Sequence, residues 1–371
     1  MNAGANNDGR WNTAIGSNSG FNIKGERNTA LGDYAGRDVT GSGNIGLGAS
    51  AGVSVTGETN LAVGISAGGT VKGDHNVALG RTAGDDVIGT GNVATGLDSG
   101  SIVRGSVNVS YGQGSGRSVT GDRNTAMGLN AGNGVSGNDN VAMAWGAGYE
   151  VAGRGNLALG ALTGRTVNGN DNIAIGSQSG TKVNGSRNIA LGVQSGQDLD
   201  NVNDATSLGS SAKANADNAI AIGKGANASA TSSIALGSGS TATLKGGVAI
   251  GDGAYSGGKN SGGSIVIGGA IDQSDYAPAL NGARNDESAQ ASIVIGSGAS
   301  NKGAIATVIG TGASAGVEGG STVIGSFASS TTTGTAIGGS AKVIGRNGTA
   351  VGLEAVAYND GVALGTLSVA N

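Results

Sequence analysis

Asparagine recurs at Asn12, Asn28, Asn44, Asn60, Asn76, Asn92, Asn108, Asn124, Asn140, Asn156, Asn172 and Asn188, twelve asparagines at a spacing of 16 without a slip. Three glycine columns keep the same period. One runs from Gly20 through Gly196, one from Gly25 through Gly185, and one from Gly16 to Gly192 with Ala144 as its single interruption. A fixed period of this length means one supersecondary unit repeated and stacked, because no single unit can bury its own apolar face. The unit reads N-[TVIL]-A-[ILVM]-G-x-x-[AS]-G-x-x-V-x-G-x-x.

Each unit contains two short strand-like pieces. The first is Asn-Thr-Ala-Ile at 12–15, repeated as Asn172-Ile-Ala-Ile. The second centres on a valine column that includes Val39, Val55, Val71 and Val87, with polar neighbours such as Asp38 and Thr40. That alternation predicts a half-buried strand with valine inward. The first piece is apolar on both faces, Ile173 and Ile175 on one and Ala174 on the other, which is the pattern of a strand covered on both sides. The uniform small column, Ala14 through Ala190, is expected to mark the tighter contact with neighbouring chains. Glycine supplies the positive φ of tight corners, and stacked asparagines can hydrogen-bond along the stack. An amphipathic helix is excluded, because no window keeps helical apolar spacing past the glycines.

Composition agrees with a thin, repeated core. Of 371 residues, 77 are Gly, one is Pro, two are Trp, two are Phe and none is Cys. Few large side chains are available, so no thick core can form. There is no Gly-X-Y period, which excludes collagen. The net charge is −4 with both signs interspersed, so nucleic acid and anionic membrane are poor partners. No apolar run is long enough to span a bilayer, and the first residues, Met1-Asn-Ala-Gly-Ala-Asn-Asn-Asp, carry no apolar leader.

Near residue 200 the register breaks at Asp198-Leu-Asp-Asn-Val-Asn-Asp, and a shorter unit follows with its closing glycines at Gly209, Gly223, Gly237 and Gly251, a spacing of 14. The expected organisation is an N-terminal stretch 1–11, a roll of 16-residue coils over 12–200, and a roll of ~14-residue coils over 201–371 with an inserted loop at 269–291. About 23 coils at ~4.8 Å each predict a rod on the order of 110 Å long. Insertions in solenoids form loops on one face, often the binding face. Tyr255, Asp272, Asp275, Tyr276, Pro278, Arg284, Asp286 and Glu287 are therefore the candidate receptor contacts. Trp11, Phe21 and Tyr34 are candidates to cap the exposed first coils, and Tyr111 and Trp145 read as packing variants.

The recurring units Asn172-Ile-Ala-Ile-Gly, Asn188-Ile-Ala-Leu-Gly and Asn218-Ala-Ile-Ala-Ile-Gly resemble the YadA-like heads of trimeric autotransporter adhesins, from about residue 12 to 366. The resemblance implies a left-handed parallel β-roll assembled as a side-by-side homotrimer. It implies a place at the cell surface, anchored in the outer membrane through parts absent from this chain. It also implies multivalent attachment to extracellular-matrix protein, cell-surface glycan or other bacterial cells. A multimer follows from the residues as well: the apolar second face of the first strand, repeated coil after coil, exceeds the patches monomers tolerate. Symmetry alone admits a dimer, and three is what the resemblance implies. The 16-residue half departs from the shorter coil of such heads and also resembles phage tail-fibre shafts, the alternative structural reading.

Enzyme chemistry finds no support, and no cofactor or metal is expected. His75, the one histidine, sits in a corner column with Arg27, Arg123, Asp139 and Arg187. The carboxylates Asp85, Asp86, Asp98, Asp122, Glu150 and Asp171 scatter over outward columns, where paired-acid catalysis needs a cleft. Gly257-Gly-Lys-Asn does not match a calcium-binding nonapeptide. An ice-binding face would need an unbroken threonine ladder, and Lys24, Lys72, Ile88 and Arg104 interrupt the one beside the valine column.

Overall fold

The computed structural model describes residues 2–257, 263–270, 281–286 and 291–371. The chain is an all-β parallel solenoid that forms two compact units, Met1–Arg187 and Asn188–Asn371.

In the first unit most coils carry the two expected strands, and beside Ile23, Val39 and Val135 the second is reduced to isolated bridges at Lys24, Thr40 and Ser136. The first strands run from Thr13–Ile15 through Ile173–Ile175 and pair in parallel at a constant offset of 16, as in Thr13 to Thr29, Val93 to Val109 and Leu157 to Ile173. The second strands pair at the same offset: Val55 to Val71, Val87 to Val103 and Val151 to Val167. Identical residues therefore lie over one another, and one coil's geometry is copied into the next.

The interior is decided by the width of the coil. Val39, Val55, Val71, Val87 and Val103 point inward from the second strand and are buried. Facing them from the first strand are Ala30, Ala62, Ala78 and Ala94, and a third column, Ala35, Ala51, Ala67 and Ala83, completes the lumen. In this unit only alanine, glycine or serine stands opposite valine, Gly46 and Ser110 being the exceptions to alanine among the buried positions. A side chain at Gly84 would come within 2.8 Å of the Ala78 methyl. The small column therefore lines the core of its own coil, and the expectation that it contacts neighbouring chains is overturned. The isoleucines and leucines of the first strand are what face outward.

Six of the sixteen positions take positive φ, and two kinds must be distinguished. The Gly16 and Gly25 columns have φ near +130° to +150° and stack backbone on backbone; a Cβ on Gly16 would lie 2.5 Å from the carbonyl oxygen of Gly32. The Gly20 column packs against the alanine column inside. The Gly20 and Gly25 columns are glycine in every coil, and the Gly16 column in all but one. The other three columns are left-handed corners whose side chains leave the coil. They accept Tyr34, Asp38, Thr59, His75 and Val107 at φ between +55° and +60°. Ala144 holds φ +106° where glycine stands in every other coil.

The asparagine column closes the corner. Through most of the column Oδ1 accepts both the backbone N–H and the side-chain Nδ2 of the asparagine one coil on, as from Asn76 to Asn60 at 2.9 and 3.0 Å. The second Nδ2 proton goes to the carbonyl of the corner glycine, Asn76 to Gly89 at 2.9 Å. All four side-chain bonding positions are used, so these asparagines are buried without an orphaned group. A second ladder runs along the neighbouring corner. A short polar side chain there accepts the backbone N–H of the coil before it: Glu58 to Asp74 at 2.8 Å, Ser106 to Asp122 at 2.7 Å and Asp122 to Asn138 at 2.8 Å.

In the second unit the offset shortens to 14, as in Ile220 to Ile234 and Ile234 to Val248, with steps of 13 to 15 further on. The asparagine column ends at Asn188, whose Oδ1 takes the N–H of Ala205. The lumen is lined first by Ala214, Ala221, Ala226, Ala228 and Ala235, and further on Val266, Val294, Val308 and Val323 take the inward position of the first strand. Two coils are longer. Val248 pairs with Ile265, and Ile265 with Ile293. The stretch 269–291 is not one loop: it contains the strand Arg284–Asn285, which pairs with Tyr255–Ser256 and with Ser300–Asn301. Around it the interior turns polar. Asn301 Nδ2 bonds to Asn285 Oδ1 and Ser292 Oγ, both at 2.9 Å, and Asn285 Nδ2 to Ser264 Oγ at 3.0 Å.

Candidate assembly and adhesion surfaces

Two outward surfaces carry residues that a chain of this kind can use. The first is the outer face of the first strand in the first unit. Its two outward columns include Ile15, Leu31, Ile45, Val93, Val109, Met127, Met143 and Ile173, all more than a third exposed. Register pairing places them in two rows, mostly aliphatic and interrupted by Thr13, Thr29 and Thr125 in one and by Thr95 in the other. Tyr111 and Trp145, expected to be packing variants, are 59% and 54% exposed and enlarge this apolar surface. Ile65, Leu97 and Leu129 lie past the corner from this face and are also exposed.

The second surface is the outer face of the second strand in the second unit, where Tyr255, Arg284 and Asp286 come together. Parallel pairing sets Tyr255 beside Arg284, whose guanidinium lies 5.0 Å from the ring centroid, and Arg284 Nε donates to Asp286 Oδ1 at 2.8 Å. The neighbours in the same column, Thr241, Ser300 and Ser314, are small and polar. A flat array of hydroxyls with one aromatic–arginine pair at its centre is a familiar composition for a binding hot spot. Asp272, Asp275, Tyr276, Pro278 and Glu287 lie outside the described residues.

Aromatic–arginine stacking recurs as a staple between coils. Arg27 faces Trp11, Arg37 faces Phe21, and Arg165 faces Tyr149, at 5.1, 5.9 and 5.2 Å and in each case one coil on. The signal is an aromatic followed by arginine sixteen residues later, which a search for catalytic or metal patterns passes over. Trp11, Phe21 and Tyr34 take part in these stacks from the sides of their coils. The exposed pair Arg123–Asp139 is a further tie, bonded at 2.6 and 2.9 Å. Arg123's hydrogen bond and charge hold the Asp139 carboxyl below the usual carboxylate range. His75 is an exposed corner residue at φ +58°. Among the described residues there is no cluster of His, Cys, Asp or Glu able to hold a metal ion, and no helix long and apolar enough to cross a membrane.

A parallel solenoid with short coils, alanine-lined inside and aliphatic along one outer face, defines a class of elongated structural repeat proteins. Within that class, residues 203–226, 228–254 and 332–355 match the family described as YadA head domain repeat (2 copies), and the chain carries these repeats, which are typical of trimeric autotransporter adhesins, a non-enzymatic structural family. All three matches fall in the second unit. No curated protein is a significant match to the chain.

Proposed function

We propose that the chain is the head of a trimeric surface adhesin, with coils wound left-handed and three copies packed side by side through the outer face of the first strand. The observation that carries this reading is the in-register apolar face itself. Two rows made mainly of Ile, Leu, Val and Met, with a few threonines, run over ten successive coil steps and form a patch larger than soluble monomers leave bare. Identical copies cover it most simply, because each presents the same surface. The YadA head repeats point to three.

Adhesion then works by repetition. Three chains display identical outer columns, and weak contacts add through effective concentration. The Tyr255–Arg284–Asp286 cluster is the proposed centre of receptor contact, with extracellular-matrix protein or a cell-surface component as its target. The test is the absolute mass in solution by light scattering on a sizing column. Three times the 35.1 kDa chain is expected, and a clean monomer sinks the reading. With the trimer in hand, loss of matrix-protein binding in Tyr255→Ala and Arg284→Ala at unchanged mass supports the cluster as the contact. Unchanged binding removes it.

A further inference from the structure

We propose that the first unit holds a binding groove for a carboxylate-bearing saccharide around Gly114. This rests on the adhesive reading and names a ligand class for a surface other than the receptor cluster. The groove, of about 300 Å³, is lined by Arg81, Thr82, Leu97, Asp98, Gln113 and Arg117, with Gly114 beneath and Asn130 beyond it. That volume is at the small end for ligand sites and suits one or two sugar rings.

The groove exists because of one glycine. Gly114 belongs to a left-handed corner column whose members in the adjacent coils, Thr82, Asp98 and Asn130, project side chains outward. Removing the side chain there opens a gap, and the Asn130 amide folds over it, its Oδ1 lying where a Cβ would stand. The walls are held rigidly by rungs between coils. Asp98 N donates to Arg81 O, Gly114 N to Leu97 O and Asn130 N to Gln113 O, at 2.8 to 2.9 Å. The Asp98 carboxylate is positioned in advance, by Ser101 Oγ at 3.2 Å and by Arg117 Nε at 3.2 Å. Among the described residues, the Arg81 guanidinium has no ionic or hydrogen-bonding partner.

These groups define the ligand. Two guanidiniums against one carboxylate leave the groove one positive charge in excess, with Arg81 free to take a carboxylate in a paired, planar contact. Asp98, Gln113 and Asn130 offer the mixed acceptors and donors that adjacent ring hydroxyls need. Leu97 gives a small apolar floor, 38% exposed, for a ring face. The same plan recurs further along. At Gly69 a missing side chain lets Asp85 fold over the gap, and Tyr34, Arg37, Ser50, Ser66 and Thr70 line a groove of about 320 Å³. The two glycines are about three coils apart, on the order of 14 Å, so one oligosaccharide could engage both.

The experiment is calorimetric titration of the full chain with a tetrasaccharide of alternating glucuronic acid and N-acetylglucosamine, beside its carboxyl-methylated form. Saturable binding is expected, weakened about tenfold or more by methylation and by Arg81→Ala. Gly114→Asn installs the residue that the neighbouring coil tolerates in the same corner, so it fills the groove while keeping the fold, and it should also abolish binding. Equal binding of the methylated sugar, displacement by sulfate at matched charge, or indifference to Gly114→Asn overturns the proposal. So does a collagen-like peptide that binds in the sugar's place and is lost in the same variants. Sugar binding by a chain that weighs in as a monomer would support this groove while sinking the trimeric head, which separates the two failures.

Discussion

At the scale of the residue, the corners sort every substitution into one of two outcomes. Gly121 stacks on the Gly137 carbonyl at φ +131°, so Gly121→Ala drives a methyl into backbone that cannot move aside. A loss of at least about 3 kcal/mol is expected by thermal or denaturant unfolding. Ala144 and Val107 run the other way. Alanine at φ +106° and a β-branched residue at φ +60° are strained, so Ala144→Gly and Val107→Asn should each stabilise by about 1 kcal/mol. A melting temperature unchanged or lowered in both would show that the strain is not there. Asn108→Ala tests the ladder. It leaves the Asn124 N–H, one Asn124 amide proton and the Gly121 carbonyl without partners in a buried corner. About 3–5 kcal/mol should be lost, several times the cost of removing an exposed amide.

At the scale of the element, each first strand has an inner and an outer face that are both apolar yet do different work. Ala158 touches the Gly164 turn inside its coil, and Leu157 and Leu159 stand outside. Ala158→Leu should therefore unfold the coil, whereas Leu157→Lys with Ile173→Lys should leave the melting temperature of the isolated chain nearly unchanged and reduce the mass from trimer to monomer. A double lysine variant that still weighs as a trimer would place the contact on another face. The second strand follows the ordinary rule of valine inward and polar residues outward, and Val87→Ala should cost about 1–3 kcal/mol through the cavity it leaves.

At the scale of the whole molecule, contacts are local along the stack. Each coil touches the coils before and after it, so stability is close to a sum of coil terms and nearest-neighbour terms. Opening should then be local too. Hydrogen exchange on Gly121→Ala is expected to show protection lost in the coils around residue 121 and unchanged within Asn188–Asn371, because the two units are separately compact. Uniform loss through both units would mean that the chain opens as one cooperative body.

Much of this was legible in the order of residues. A 16-residue period with three glycine columns admits little besides a stacked coil, and Asn12 to Asn188 mark its corner by their spacing and residue type, since only Gly and Asn sit easily where φ is positive. The polar–Val–polar pattern likewise announces which way the second strand faces. Three things waited for the tertiary structure. Ala174 and Ile175 are both apolar, so alternation says only that they point apart. Closing the coil against the valine column leaves room for a side chain no larger than that of alanine or serine, and that puts alanine inside and isoleucine outside. The bringing together of Tyr255, Arg284 and Asp286 depends on strand Arg284–Asn285 pairing across 29 residues of sequence, a register set by the lengthened coils and by no local signal. The groove at Gly114 is the third, because a glycine in an outward corner looks like any other until the coil above and the coil below supply its walls.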